Sequence, residues 1–302
     1  MQHVASWNWE FEGGVGAFAG HAQGYARSSL VDRSVGAIHT DIGLCRLAPG
    51  GALDRHVHSF EQCAYVLGGE TVVEIDDRAY ELHEGDYVVF PVGLAHAWRN
   101  TGTSEARWLE VSTPQPAQPG AAREDTFFLA PRAQPLVASR PAFGRPTTRY
   151  VGHYLGTPPQ REALALDGPP RGRAPAGMDT ALLAYSGISI KMLVDGALGA
   201  DLLTLFMVDY EPNGAAQVHD HPFEEVYVFL EGEIEGEVDG VVRTYRAGDV
   251  LFCGVGVEHG FFNTSGGRVR WLETQAPQPP RRHSYRWPAH WERLRDELAG
   301  GA

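Results

Sequence analysis

The stretch HVHSFEQCAYVLGGE, from His56 to Glu70, returns 163 residues later as HDHPFEEVYVFLEGE, from His219 to Glu233. The same offset holds without a gap well beyond these two stretches. Gly85-Asp86 matches Gly248-Asp249, His96 matches His259, and Asn100-Thr101 matches Asn263-Thr264. RWLE at Arg107 recurs at Arg270, and PQP at Pro114 recurs at Pro277. The unit is several times longer than the repeats of a solenoid, so it reads as a duplicated domain. The chain must therefore build one fold twice. With 302 residues it is long enough for two separate cores.

Each copy has a β pattern. Short runs such as ETVVEI, YVVF, VYVFL and DVLF are rich in Val, Phe and Tyr. Asp76-Asp77 and Asp239-Gly240 punctuate them at hairpin spacing. From Pro114 to about Gly177 proline becomes dense, which marks linker or edge-covering chain rather than core strand. Near the end, PAHWERLRDELAG predicts one terminal helix. Pro288 suits its first turn, Trp291, Leu294 and Leu298 share a face, and Gly300 can stop it. The expected division is a domain at 1–135, with motif core 49–116 and the start of the linker, and a domain at 136–302, with motif core 212–279 and the helix.

Composition narrows the function. Apolar residues make up 43% and charged residues 21%, as in an ordinary soluble protein, and the net charge is −13. The 25 basic residues include a single lysine, Lys191, and form no long basic run, so nucleic-acid binding has no electrostatic footing. No apolar stretch approaches the roughly 20 residues of a membrane span, and the N-terminus lacks the pattern of a secretory signal. Cys45, Cys63 and Cys253 are few, odd in number and widely spaced, which fits a reducing cytoplasm. Nucleotide loops and the serine-hydrolase elbow are absent, and Cys253 reads as a buried thiol rather than a nucleophile.

The histidines carry the chemistry. In each copy two of them sit one residue apart and share a strand face. A polar residue follows four positions after the second, and a third histidine lies 34 residues further on. The sets are His56, His58, Gln62 and His96, and His219, His221, Glu225 and His259. All four donors can meet one ion only if the chain folds back between the second histidine and the fourth-residue donor, and Pro222 marks such a turn. Three imidazoles and one oxygen donor suit a transition ion: Fe, Mn, Ni, Zn, Co or Cu. One or two such ions per chain are expected.

HxHxxxE followed by GDxxxxxxxGxxHxxxN resembles the two cupin motifs, and two sets resemble a bicupin. The resemblance implies an all-β chain of two tandem double-stranded β-helix (jelly-roll) domains. It makes the eight residues above metal ligands near the mouths of two barrels. Gln62 departs from the usual glutamate, so the first ion should be held more weakly. Strand parity places Tyr227 and Phe229 beside the second set, with Phe261 and Asn263 following His259. In the first barrel it places Ala64, Val66, Trp98 and Asn100 inward. Tyr227 is the expected catalytic hydroxyl, and Phe229, Phe261, Trp98 and Asn263 are expected to meet substrate. Glu224 and Glu258 read as solvent-facing. With its carboxylate and Tyr227, the second barrel is the expected seat of the reaction.

The resemblance leaves the reaction open among dioxygenases, non-redox lyases, hydrolases or isomerases, and non-catalytic metal- and ligand-binding cupins. The apolar walls favour a dioxygenase acting on a small enol, phenol or diketone, in a cytoplasmic homodimer.

Overall fold

The computed structural model describes residues 2–7, 18, 20–116, 125–143, 149–154, 180–183 and 187–279. The helix expected at 288–300 lies outside them. The described residues are all-β, with one short 3₁₀ turn at Arg33–Val35. Among them no helix is long and apolar enough to cross a membrane.

In the first unit the long strand Asp41–His58 is the spine of an eleven-stranded sheet. Its first part pairs with Ala106–Thr113 and its last part with His96–Arg99. The change of partner comes at Pro49-Gly50-Gly51. Gly50 takes φ +72°, and a Cβ on Gly51 would come within 2.8 Å of the Ala48 carbonyl oxygen, so glycine lets the strand turn its corner. In the second unit the corresponding corner is Pro212-Asn213-Gly214, with Asn213 at φ +65°. There the spine is divided into Thr204–Tyr210, in a seven-stranded sheet, and Ala215–His219, in a four-stranded one.

The punctuation read from sequence forms tight hairpins. Glu233–Val238 and Val241–Arg246 meet at Val238 and Val241, and Asp239 (φ +48°) and Gly240 (φ +73°) give the left-handed turn that matches strand twist. Glu70–Ile75 and Arg78–His83 turn through Asp76 at φ +51°. The proline-rich chain supplies short edge strands to the first unit. Thr126–Phe128 pairs beside His56, Ala138–Ser139 beside Tyr80, and Val151–His153 beside Asp86–Phe90.

The chain forms two compact units. Among the described residues, one unit runs from residue 18 to residue 154 and also takes Leu193–Leu205; the other holds residues 2–7, 180–192 and 206–279. The physical reason is edge pairing. Gln2–Ser6 hydrogen-bonds antiparallel to Asp249–Cys253 of the second unit. Buried Glu61 of the first unit accepts the backbone N–H groups of Asp201, Leu202 and Leu203, at 2.7, 3.0 and 3.0 Å.

Each unit has its own apolar core. The first includes Leu47, Val66, Trp98 and Trp108, and the second Phe206, Phe229, Tyr245 and Trp271. One feature of the first core is polar. The Arg27 guanidinium lies over Gly43, where a Cβ would sit 2.5 Å from its Cζ. Nε donates to Glu110 at 2.8 Å and Nη2 to Asp41, with all three side chains buried.

Candidate metal centres

The strand pairing brings the distant histidines together. His56 lies opposite His96 and His219 opposite His259. Between the second histidine and the next strand the chain folds back, at Ser59 and Phe60 in one copy and at Pro222 and Phe223 in the other. The turn phenylalanine then packs flat on the histidine before it: His58 on Phe60 at 4.1 Å, His221 on Phe223 at 4.0 Å. Phe90 covers His96 in the same way at 3.9 Å. The result is two buried triads, His56, His58 and His96, and His219, His221 and His259, each with its donor atoms within 4.8 Å of one another.

The backbone sets the tautomer of all six rings. Nδ1 of His56, His58 and His96 meets the carbonyl oxygens of Asp54 (2.7 Å), Phe60 (2.5 Å) and Leu94 (2.9 Å). Nδ1 of His219, His221 and His259 meets those of Gln217 (2.8 Å), Phe223 (2.9 Å) and Val257 (2.9 Å). A carbonyl only accepts, so each Nδ1 carries the proton and donates. In the neutral ring that leaves the lone pair on Nε2, as a metal ligand requires. In His96 the Nε2 is buried without a hydrogen-bond partner among the described residues. Burial, followed by the neighbouring His56 and His58, holds the His96 pKa well below its ordinary value. His219 is lowered to about 4, first by burial and then by His259. The donor sets therefore fit a transition ion.

Glu225 joins the second triad. Its Oε2 lies 2.8 Å from Nε2 of His221 and 3.1 Å from Nε2 of His259. Burial alone would raise this carboxyl, but His221 and the hydrogen bonds from both imidazoles hold it well below the usual carboxylate range. Burial lowers His221, yet Glu225 outweighs it and raises the imidazole. These opposite shifts mark the two groups as electrostatically coupled. Gln275 donates to Glu225 Oε1 at 2.6 Å, and the Tyr227 hydroxyl donates to Oε2. In the first centre Gln62 occupies the matching register and donates to Ser112 Oγ at 3.3 Å.

The expected wall residues fall into different environments. Tyr227 is buried beside the triad, its ring 5.8 Å from that of His259, but its hydroxyl is engaged with Glu225. Phe229 stacks on Tyr245 at 5.3 Å, and Phe261 packs 4.9 Å from Tyr227 and 5.2 Å from Trp271. Trp98 stacks on Trp108 at 4.6 Å in the first core. Asn263 donates to the carbonyls of Glu211 (2.9 Å) and Gly267 (2.8 Å) and accepts from Ser265 N–H (3.1 Å), so its amide clamps a loop. Asn100 clamps the matching loop through Leu47, Ser104 and Gly102. Glu258 is exposed, but Glu224 is buried, because it opens the returning strand rather than facing solvent. Cys253 is a buried free thiol with its pKa raised by burial and then by Glu225, which removes it as a nucleophile.

Sequence reading missed Gln275 and Glu273. Glu273 accepts from Trp271 Nε1 at 2.9 Å, and burial, then Glu225, raises its carboxyl well above the usual range. Strand parity from Glu225 and its register partner would have found both, since Gln275 stands where the first copy has Ser112.

A family model described as the cupin domain matches residues 43–112 and 206–274. A protein named polyketide synthase CurC, from Streptomyces cyaneus, is 30% identical over 128 residues, covering 41% of this chain and 82% of that protein. Protein SchB from Streptomyces halstedii is 31% identical over 104 residues, covering 34% of this chain and 75% of that protein. Among solved structures, a mutant of Bacillus subtilis oxalate decarboxylase superposes with a TM-score of 0.59 at 19% identity, covering 93% of this chain and 82% of its own. Salicylate 1,2-dioxygenase from Pseudaminobacter salicylatoxidans gives 0.64 at 16% identity, covering 83% and 76%. At such identities the structural likeness speaks for the fold alone.

Proposed function

Because the chain belongs to the cupin family, with one cupin domain in each repeat, we infer that it is a metal-dependent enzyme of dioxygenase type acting on a small enol, phenol or diketone. The observation that carries this reading is the fixing of six Nδ1 protons by six backbone carbonyls, which turns two buried sets of Nε2 donors inward. A bound transition ion would polarise an enolisable oxygen as a Lewis acid and, if redox-active, would bring O₂ to it.

The chain's own groups do the rest. His219, His221, Glu225 and His259 would hold one ion and His56, His58, Gln62 and His96 the other. Tyr227 and Gln275 orient Glu225, and the buried rings around Tyr227 keep water from the second centre. The polyketide synthase name of the Streptomyces cyaneus relative supports the substrate class, since unreduced polyketides are runs of β-ketones that enolise and close into phenols. Cys45, Cys63 and Cys253 are buried free thiols, in keeping with a cytoplasmic setting, and a homodimer belongs to the same proposal.

Metal analysis of protein purified without a metal-binding tag, followed by O₂ uptake with β-diketones and phenols, tests this reading. One to two ions per chain and O₂ consumption with at least one such compound are expected. Metal-bearing protein that transforms these compounds without O₂ would indicate a Lewis-acid lyase, hydrolase or isomerase instead. Protein that holds no transition ion would sink the proposal.

A further inference from the structure

The first centre is bordered by rings that the repeat does not supply. Phe128 lies opposite His56 across the strand pair, with ring centroids 5.6 Å apart. Phe18 stands 6.1 Å from the His56 ring and meets Phe128 edge-on at 5.6 Å. Further out, His21 stacks flat on Phe128 at 3.9 Å, and its Nδ1 lies 3.2 Å from Asp54 Oδ2. Burial falls along this series: Phe18 is buried, Phe128 half-buried and His21 exposed. A run of rings thus leads from solvent to one imidazole of the first triad. Phe18, His21 and Phe128 all lie outside the matched cupin segments.

The two centres also differ in what occupies the space beside the fourth donor. In the second, both oxygens of Glu225 are engaged by Tyr227, Gln275, His221 and His259. The first has Ala64 and Ser112 where the second has Tyr227 and Gln275. It has Phe90 where the second has Cys253, and Phe90 continues the ring lining onto His96.

We propose that the first centre, rather than the second, receives the ligand, and that the ligand is a planar ring-bearing enol or phenol lying against Phe18 and Phe128. A flat π-system gains from edge and face contacts that a small open-chain acid cannot make. The proposal rests on the metal-enzyme reading and narrows its substrate class.

The test uses the full-length, metal-loaded chain with 4-nitrocatechol, whose visible spectrum reports ligation, and acetylacetone as a ring-free competitor. Phe128→Leu keeps apolar bulk but removes the ring. It should weaken 4-nitrocatechol about five- to ten-fold while changing acetylacetone less than about two-fold. Phe128→Tyr should restore ring binding, and thermal unfolding of both variants checks that the fold is kept. His58→Ala should abolish the spectral change and His221→Ala should preserve it. Equal weakening of both probes, an unchanged Phe128→Leu, or loss of the signal in His221→Ala alone would overturn the assignment. Metal-bearing wild-type protein that ignores 4-nitrocatechol overturns this inference and leaves the metal reading standing. Protein without metal overturns both.

Discussion

Gln62 and Glu225 occupy one position of the repeat and differ by one charge. Their partners differ in step: Glu225 accepts from the Gln275 amide, while Gln62 donates to the Ser112 hydroxyl. A serine hydroxyl can donate as well as accept, so Gln62→Glu leaves no orphaned group. The substitution adds a negative charge about 2 Å from a dication, and first-site affinity should tighten about ten-fold or more by calorimetry. Unchanged affinity would mean that Gln62 is not a ligand. Acid should act on His96 and His219, whose pKa values are depressed in the fold. For His219 the unfolded chain takes a proton near 6.5 and the folded chain only near 4, so stability falls as pH drops through that window. His221, raised by Glu225, works in the opposite sense. Denaturant titrations of metal-free protein from pH 7 to 4 should show the loss, and a flat profile would contradict it. The two histidine triads were legible because spacing and repetition are written in the chain. The ring wall was not, because Phe18, His21 and Phe128 reach His56 from segments that carry no motif. The loop clamp at Asn263 was not legible, because its partners are loop carbonyls whose positions only the folded turn defines.

Strand parity was legible as well: it turned Ala64, Val66, Tyr227 and Phe229 into the cores where they lie. Parity says which face a side chain takes, but not which strand comes alongside. Ala22–Val31 is such a case: its Arg27 pairs with Cys45, and its guanidinium finds room only over Gly43, two residues along that strand. Gly43→Ala would place a methyl 2.5 Å from the guanidinium carbon and 2.7 Å from the Ser28 carbonyl oxygen. Arg27 would be levered from Glu110 and Asp41, leaving buried charges unpaired. A loss of about 3 kcal/mol or more is expected from urea unfolding. Gly240→Ala, with nothing within 4 Å of the new Cβ, should cost only the left-handed backbone penalty of about 1–2 kcal/mol. Equal costs for the two variants would show that Arg27 does not depend on the gap.

At the scale of the whole molecule, each unit draws on both halves of the sequence. Removing residues 1–7 should uncover the edge of Asp249–Cys253, lower the unfolding temperature and promote association visible by light scattering. A truncated chain that stays monomeric and equally stable would show that Gln2–Ser6 is dispensable. The duplication was legible from the fixed offset; the exchanged edge was not, because QHVAS has no counterpart in the repeat. That edge also orders events during synthesis. Ser6 and its hydrogen-bond partner Asp249 are 243 residues apart, so at about 5–20 residues per second the first strand leaves the ribosome about 12–50 s before its partner is made. Gln2–Ser6 therefore waits for its place until Asp249–Cys253 has been made, and only then can the second barrel close this edge.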